Sequence, residues 1–351
     1  MSPALEQLFR RKPLADLQHD REATRLRRTL GTGDLVALGI GAIIGAGIFS
    51  TIGTAAAGNL ADGRVAAGPA LILSFVLVAV ACGFTALCYA EMASMIPVAG
   101  SAYAYSYATM GEFIAWIIGW DLILEYAVGN IAVAVSWSGY FCELLRGFDI
   151  EFPRYLATDL RTALNTPEIL AQAPRVFGVP ILFNLPAVAI VMLLTSVLLV
   201  GIRESAWFNA VMVAIKLAVL GLFVVVGAFH VRPENWQPFA PHGWAGIQAG
   251  AAIVFFAFIG FDAISTTAEE CRRPNRDLPI GILGSLGLCT VIYVVVAAVL
   301  TGIELPEAFR EALGVKLRDA VEVAKRTGCR LALLVPGRYD QRLDWDYQTA
   351  N

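Results

Sequence analysis

The sequence predicts an all-α integral membrane protein of about seven spanning helices, two of them interrupted, followed by a short polar tail. Three observations carry that prediction. Hydrophobic residues make up 57% of the 351-residue chain and charged residues 16%, with a mean hydropathy of +0.65, outside the range of soluble globular domains. Uncharged apolar stretches long enough to cross a hydrocarbon layer of about 30 Å as helices recur along it. The arginines gather in the segments between those stretches, so the net charge of −3 says little about partners, and no nucleic acid is expected.

Residues 1–33 hold Arg10, Arg11, Lys12, Arg21, Arg25, Arg27 and Arg28 next to the first span, which places the N-terminus in the cytoplasm. No short apolar core with a small-residue cleavage site precedes Leu35, so no cleaved signal peptide is expected. Residues 34–302 form the membrane domain. Its first span, Leu35–Ala57, is uncharged and carries Gly41-Ala42-Ile43-Ile44-Gly45-Ala46-Gly47 at its centre. The second, Pro69–Met92, has Tyr89 and Glu91 near its inner end. Pro97-Val98-Ala99-Gly100-Ser101 breaks the chain, and Tyr103, Tyr105 and Tyr107 fit an interfacial aromatic belt. The third span, Glu112–Leu144, contains Glu125, and Leu145–Gly178 reads as an external loop. The fourth, Pro180–Val200, is turned on the inside by Gly201–Ser205. The fifth, Ala206–Phe229, contains Lys216. After an outer loop, His230–Gly243, the sixth span covers Trp244–Glu269 and is interrupted at Phe258-Ile259-Gly260-Phe261-Asp262. Arg272, Arg273 and Arg276 mark the inside before the seventh, Ile280–Gly302.

Glycines at the middle of the first span demand a reason, since each costs about 1 kcal/mol relative to alanine inside a helix. One reading is close packing of small residues, for which Gly41 and Gly45 have the spacing. The other is a helix that breaks at membrane depth, where freed N–H and C=O groups cost several kcal/mol unless a cavity or ligand satisfies them; a ligand is the expectation. The two interruptions fall five spans apart, as in transporters built of two five-helix inverted repeats. The N–H groups that start a half-helix hold an anion, and the free carbonyls that end the other half accept bonds from an ammonium. Both ends together suit a zwitterion, so the chemistry points to an amino acid.

The chain resembles the amino acid–polyamine–organocation transporter superfamily, close to its cationic amino acid transporter branch. Gly39 through Phe49, Tyr89-Ala90-Glu91, Pro97, Gly100, Ser101, Tyr103 and Tyr105 carry the resemblance. So do Gly119-Trp120-Asp121-Leu122, Leu124-Glu125-Tyr126, Phe208-Asn209 with Lys216, and Phe255 through Asp262. Last come Glu269-Glu270, Pro274, Arg276, Asp277, Pro279 and Gly281. The resemblance implies an inverted-repeat core and the broken-helix reading of the glycines. It implies a substrate carboxylate on the backbone N–H groups around Ala46 and Gly47, within the break Ile43, Ile44, Gly45, Ala46 and Gly47. The ammonium is then met by carbonyls of Ile43, Phe256, Ala257 and Ile259, with Phe258 shaping the side-chain pocket. Many relatives carry a hydroxyl residue where this chain has Ala46, which removes one contact and leaves the backbone site intact.

A lysine deep in a bilayer costs between about 2.5 and more than 10 kcal/mol. Lys216 either snorkels to the inner interface or, as the resemblance implies, stands where sodium-coupled relatives place an ion. A buried lysine that gives up its proton would make transport proton-coupled. Glu125 is either a proton or substrate partner or a protonated carboxyl bonded to backbone. Asp262 reads as an N-cap for the inner half of the sixth helix. His19, His230 and His242 lie in loops, and the six cysteines stand singly, without metal-ligand spacing. Neither cofactor nor metal nor catalytic residue is expected.

Residues 303–351 do not fit this pattern. They are polar, with Pro306–Gly328 reading as an amphipathic helix and Arg330–Val335 as a strand, and they offer no nucleophile–base pair, so no enzyme is expected. The resemblance ends near Gly302 after seven helices where the family has about twelve, so truncation after the seventh helix is expected. The expected function is an amino acid permease working by proton-coupled alternating access in the plasma membrane (the cell inner membrane), as a multi-pass protein whose partners are an amino acid, protons and the lipid bilayer. The alternative is a non-transporting truncated remnant of such a permease. A seven-helix receptor is disfavoured by the basic N-terminal segment, since such receptors place that end outside.

Overall fold

A computed structural model describes residues 8–13, 16, 28–58, 65–164, 166–176, 178–200 and 202–303. Those residues are mostly helical. Six segments are long and apolar enough to cross a membrane: Thr32–Ala57, Gly68–Met95, Glu112–Arg146, Ala210–Ala228, Gly243–Thr267 and Pro274–Gly302. The fourth expected span is a shorter apolar helix. The reading of residues 303–351 falls almost wholly outside the described residues, where only Ile303 is included.

In chain order the helices are α1 (Thr32–Ile43), α2 (Ile52–Ala57), α3 (Leu71–Met95), α4 (Ser101–Thr109), α5 (Glu112–Arg146), α6 (Leu160–Leu164), α7 (Pro167–Gln172), α8 (Leu185–Val200), α9 (Ile202–Ala228), α10 (Gly243–Val254) and α11 (Pro274–Gly302). A two-stranded antiparallel ribbon, β1 (Arg175–Val176) with β2 (Val179–Pro180), lies between α7 and α8. The chain divides into two compact units. One comprises residues 1–31, 91–214 and 265–278, the other residues 32–90, 215–264 and 279–351.

In the first unit α4 packs on α5, and α5 on α8. Tyr103, Tyr105 and Tyr107 lie in the body of α4, with Tyr105 buried and the Tyr103 and Tyr107 rings 6.0 Å apart. Alternation over five residues resembles a strand or a belt, but residues four apart share a helix face. The fourth helix starts at Leu185, not Pro180. Asn184 accepts the N–H of Ala187 at 3.1 Å, as an N-cap does, while Val179–Pro180 pairs with Arg175–Val176. The segment read as an external loop, Leu145–Gly178, contains α6, α7 and a 3₁₀ turn, Arg154–Leu156, besides β1. The seventh helix begins six residues earlier than expected, at Pro274, because proline suits the first helical position.

The second unit is built around α1, α2, α10 and α11 from Pro279 onward. Leu35, Ile43, Ile44 and Ile48 of the first span are buried against it together with Phe75, Val254, Phe258, Ile264, Ile282 and Tyr293. Lipid tails are as apolar as these side chains, so close packing rather than water exclusion holds such helices together. Small residues provide it. A Cβ on Gly39 would stand 2.5 Å from Ile264 Cδ1 and Ser285 Oγ, and one on Gly281 2.9 Å from Leu35 Cβ. The far end of α11 is closed by the segment after α9. Arg232 N–H and Asn235 Nδ2 both donate to Gly302 O at 2.9 Å.

Candidate functional site

The first span breaks where the glycines predict. α1 ends at Ile43, the chain bends at Ile44 and Gly45, and a π-helical turn, Gly47–Thr51, leads into α2. The last regular bond before the bend runs from Ile44 N–H to Ile40 O at 2.9 Å. Beyond it the carbonyls of Gly41, Ile43 and Ile44 take side-chain donors. Lys216 Nζ, on α9, donates to Ile44 O at 2.6 Å and also to Gly41 O. The Tyr293 hydroxyl, on α11, lies 2.9 Å from Ile43 O and 2.8 Å from Ala257 O.

Two side chains of the chain itself thus reach carbonyls of the broken backbone. A donor–acceptor distance of 2.6 Å is a close hydrogen bond, and it places Lys216 Nζ at the break. Tyr293 escaped the sequence reading. The only signal was a lone tyrosine in an otherwise aliphatic stretch, since a buried phenol needs a partner for its hydroxyl.

The second break is equally clear. α10 ends at Val254 and tightens into a 3₁₀ turn, Phe255–Phe258, before Ile259 turns extended, with ψ 134°. Gly260 then takes φ +119°, a conformation that side chains resist. Another 3₁₀ turn, Asp262–Thr267, follows, and it opens with Asp262, 6% exposed.

Within the second unit the two breaks touch backbone to backbone. A Cβ on Gly47 would stand 2.3 Å from Ala257 Cα, and one on Gly260 2.8 Å from Ala42 O. Gly47 thus owes its identity to packing against the other break. Gly45 does not, because a Cβ there would meet nothing within 4 Å. Among the described residues, then, nothing packs against Gly45 as the Gly41–Gly45 spacing suggests.

Ile43, Ile44, Gly45, Ala46, Gly47, Lys216, Phe256, Ala257, Phe258 and Ile259 all belong to this unit. Ala46 is 8% exposed, Ala257 and Phe258 are fully buried, and Phe256 and Ile259 are half-buried. Phe258 packs in a ring cluster with Phe75 and Tyr293, at centroid distances of 6.1 and 5.3 Å. No side chain caps the start of the π-helical turn. Glu125 stands half-buried near the middle of α5, in the first unit. Among the described residues no group of three His, Cys, Asp or Glu side chains is arranged to hold a metal ion.

The family model described as amino acid permease matches residues 30–315. The chain is 46% identical over 298 residues to the methylthioribose transporter of Bacillus subtilis (strain 168), covering 85% of this chain and 60% of that protein. It is 50% identical over 298 residues to the branched-chain amino acid permease BcaP of the same organism, covering 84% and 59%. Cationic amino acid transporter 2, vacuolar, of Arabidopsis thaliana is 40% identical over 302 residues, covering 84% and 44%. The chain thus spans 44% to 60% of the length of these relatives. It belongs to the amino acid permease family.

Proposed function

We propose that this member of the amino acid permease family carries an amino acid across the plasma membrane by proton-coupled alternating access. The chemistry of the two breaks supports this substrate class, as do relatives that include a branched-chain amino acid permease and a cationic amino acid transporter. The substrate carboxylate rests on the N–H groups of Ala46 and Gly47, where the second half of the first span begins without a side-chain cap. The ammonium is met by carbonyls of Ile43, Phe256, Ala257 and Ile259, with Ile44 and Gly45 completing the curve of the break. Phe258 and its neighbours bound the space for the substrate side chain. The first and sixth spans are taken as the opening helices of two inverted repeats, with the N-terminus in the cytoplasm.

The single observation that carries this reading is Lys216 on the carbonyls of Gly41 and Ile44. A charged ammonium there holds the broken segment; a neutral amine releases it, because a neutral donor bonds more weakly. Loss of the proton on one side of the membrane and its return on the other ties the shape of the break to the proton gradient. Glu125 is proposed as the second proton-handling group.

Uptake of labelled L-leucine and L-arginine by cells expressing the protein, measured from external pH 5 to pH 8, tests the proposal. Wild-type uptake is expected to rise as the external pH falls. Lys216→Met is expected to lose at least about ten-fold in rate, the order of one lost charged hydrogen bond. Its residual uptake is expected to be flat across pH. Unchanged uptake and unchanged pH dependence in that variant sink the coupling role.

A further inference from the structure

We infer that the Tyr293 hydroxyl is a resident donor that stands in for the substrate's ammonium in the empty site, and that it thereby sets how strongly the site prefers an amino acid over the same acid without its amino group. The inference rests on the amino acid reading above and deepens it. The hydroxyl lies within hydrogen-bond distance of both Ile43 O, at 2.9 Å, and Ala257 O, at 2.8 Å. A phenol carries one proton, so it serves one carbonyl at a time and turns a lone pair to the other. Ile43 is 2% exposed, and Ala257 and Tyr293 are fully buried, so bulk water is kept from the unserved oxygen. The cluster therefore holds three oxygens and one proton.

Such a cluster is short of donors. Lys216 donates instead to Gly41 O and Ile44 O. A primary ammonium brings three N–H donors, enough to serve Ile43 O and Ala257 O together. The Tyr293 ring is held by Phe75 and Phe258, at centroid distances of 5.4 and 5.3 Å, so the hydroxyl keeps its place rather than swinging off a wrong rotamer. In the empty site it limits the cost of two buried, unpaired carbonyls. When the substrate arrives it gives up its claim on one of them, and part of the ammonium's binding energy is spent in that exchange. A donor that competes in this way keeps the substrate releasable.

The test is equilibrium binding to the full chain, purified and reconstituted in lipid nanodiscs. L-leucine is compared with 4-methylpentanoate, and L-arginine with 5-guanidinopentanoate, each pair differing only in the amino group. In Tyr293→Phe the ring cluster stays and the proton goes, leaving the two carbonyls to the ammonium alone. The ratio of Kd for the des-amino acid to Kd for the amino acid is expected to rise about ten-fold, the order set by one unsatisfied buried acceptor. The ratio is taken within each variant, so a smaller folded fraction cancels. Asn184→Ala, in the first unit and outside this ring cluster, is expected to lower the thermal midpoint and leave the ratio unchanged. A ratio that stays level or falls in Tyr293→Phe overturns the inference while the amino acid reading stands. Wild-type protein that binds neither amino acid overturns both.

Discussion

At position 47 a single added carbon would lie 2.3 Å from Ala257 Cα, and its neighbours there are backbone, which cannot rotate aside. At position 45 the same carbon would meet nothing within 4 Å. Two glycines separated by one residue thus do opposite things: one lets two backbones close, the other opens a space beside the bend. Gly47→Ala is expected to cost about 1–3 kcal/mol through overpacking, whereas Gly45→Ala is expected to stay within about 1 kcal/mol of wild type. Thermal unfolding of the two detergent-purified variants checks this, and equal midpoints would contradict it. The sequence reading found the glycines and could not separate their roles. Spacing tells which residues share a face, but not what the face meets 210 positions further on. Lys216 was legible because a charge inside an apolar span has few explanations. Tyr293 was not, because an aromatic in such a span has many.

Among the elements, α8 shows how a cap decides a boundary that hydropathy leaves open. The apolar run begins near Pro180, yet the helix starts at Leu185, where Asn184 Oδ1 accepts from Ala187 N–H and also from Ser138 Oγ, on α5, at 2.6 Å. Both helices lie in the first unit, and Ser138 is fully buried. Asn184→Ala removes the cap, worth about 1 kcal/mol, and leaves a buried hydroxyl short of an acceptor, worth about 1–3 kcal/mol. A lowered thermal midpoint is expected, with the binding ratio of amino acid to des-amino acid unaltered. Asn184→Asp, which keeps a capping oxygen, is expected to recover most of it. α4 was missed for a different reason. Tyr103, Tyr105 and Tyr107 alternate, and the neighbouring alanines and serines carry too little apolar contrast to mark a helical face. The first and sixth spans were the most legible elements, since a glycine-rich interruption at membrane depth has a definite cost that only a few arrangements relieve.

For the whole molecule, composition alone pointed to a membrane protein, and the apolar stretches marked most of its spans. Neither could say what occupies the broken segments. Lys216 and Tyr293 lie 175 and 250 residues from the carbonyls they reach, on helices whose apolar faces look alike in sequence. We propose that the two breaks enclose an amino acid site whose open side is at Gly45. A Gly45→Cys variant, in a background with the six native cysteines replaced, tests it most directly. The rate of modification of that thiol by a small methanethiosulfonate reagent is measured with each of L-leucine, L-arginine and their des-amino analogues. At least one of the two amino acids is expected to slow the reaction in a saturable way, well below the concentration at which its analogue does so. A rate that no added amino acid changes, in a variant that still takes up amino acids, would contradict it.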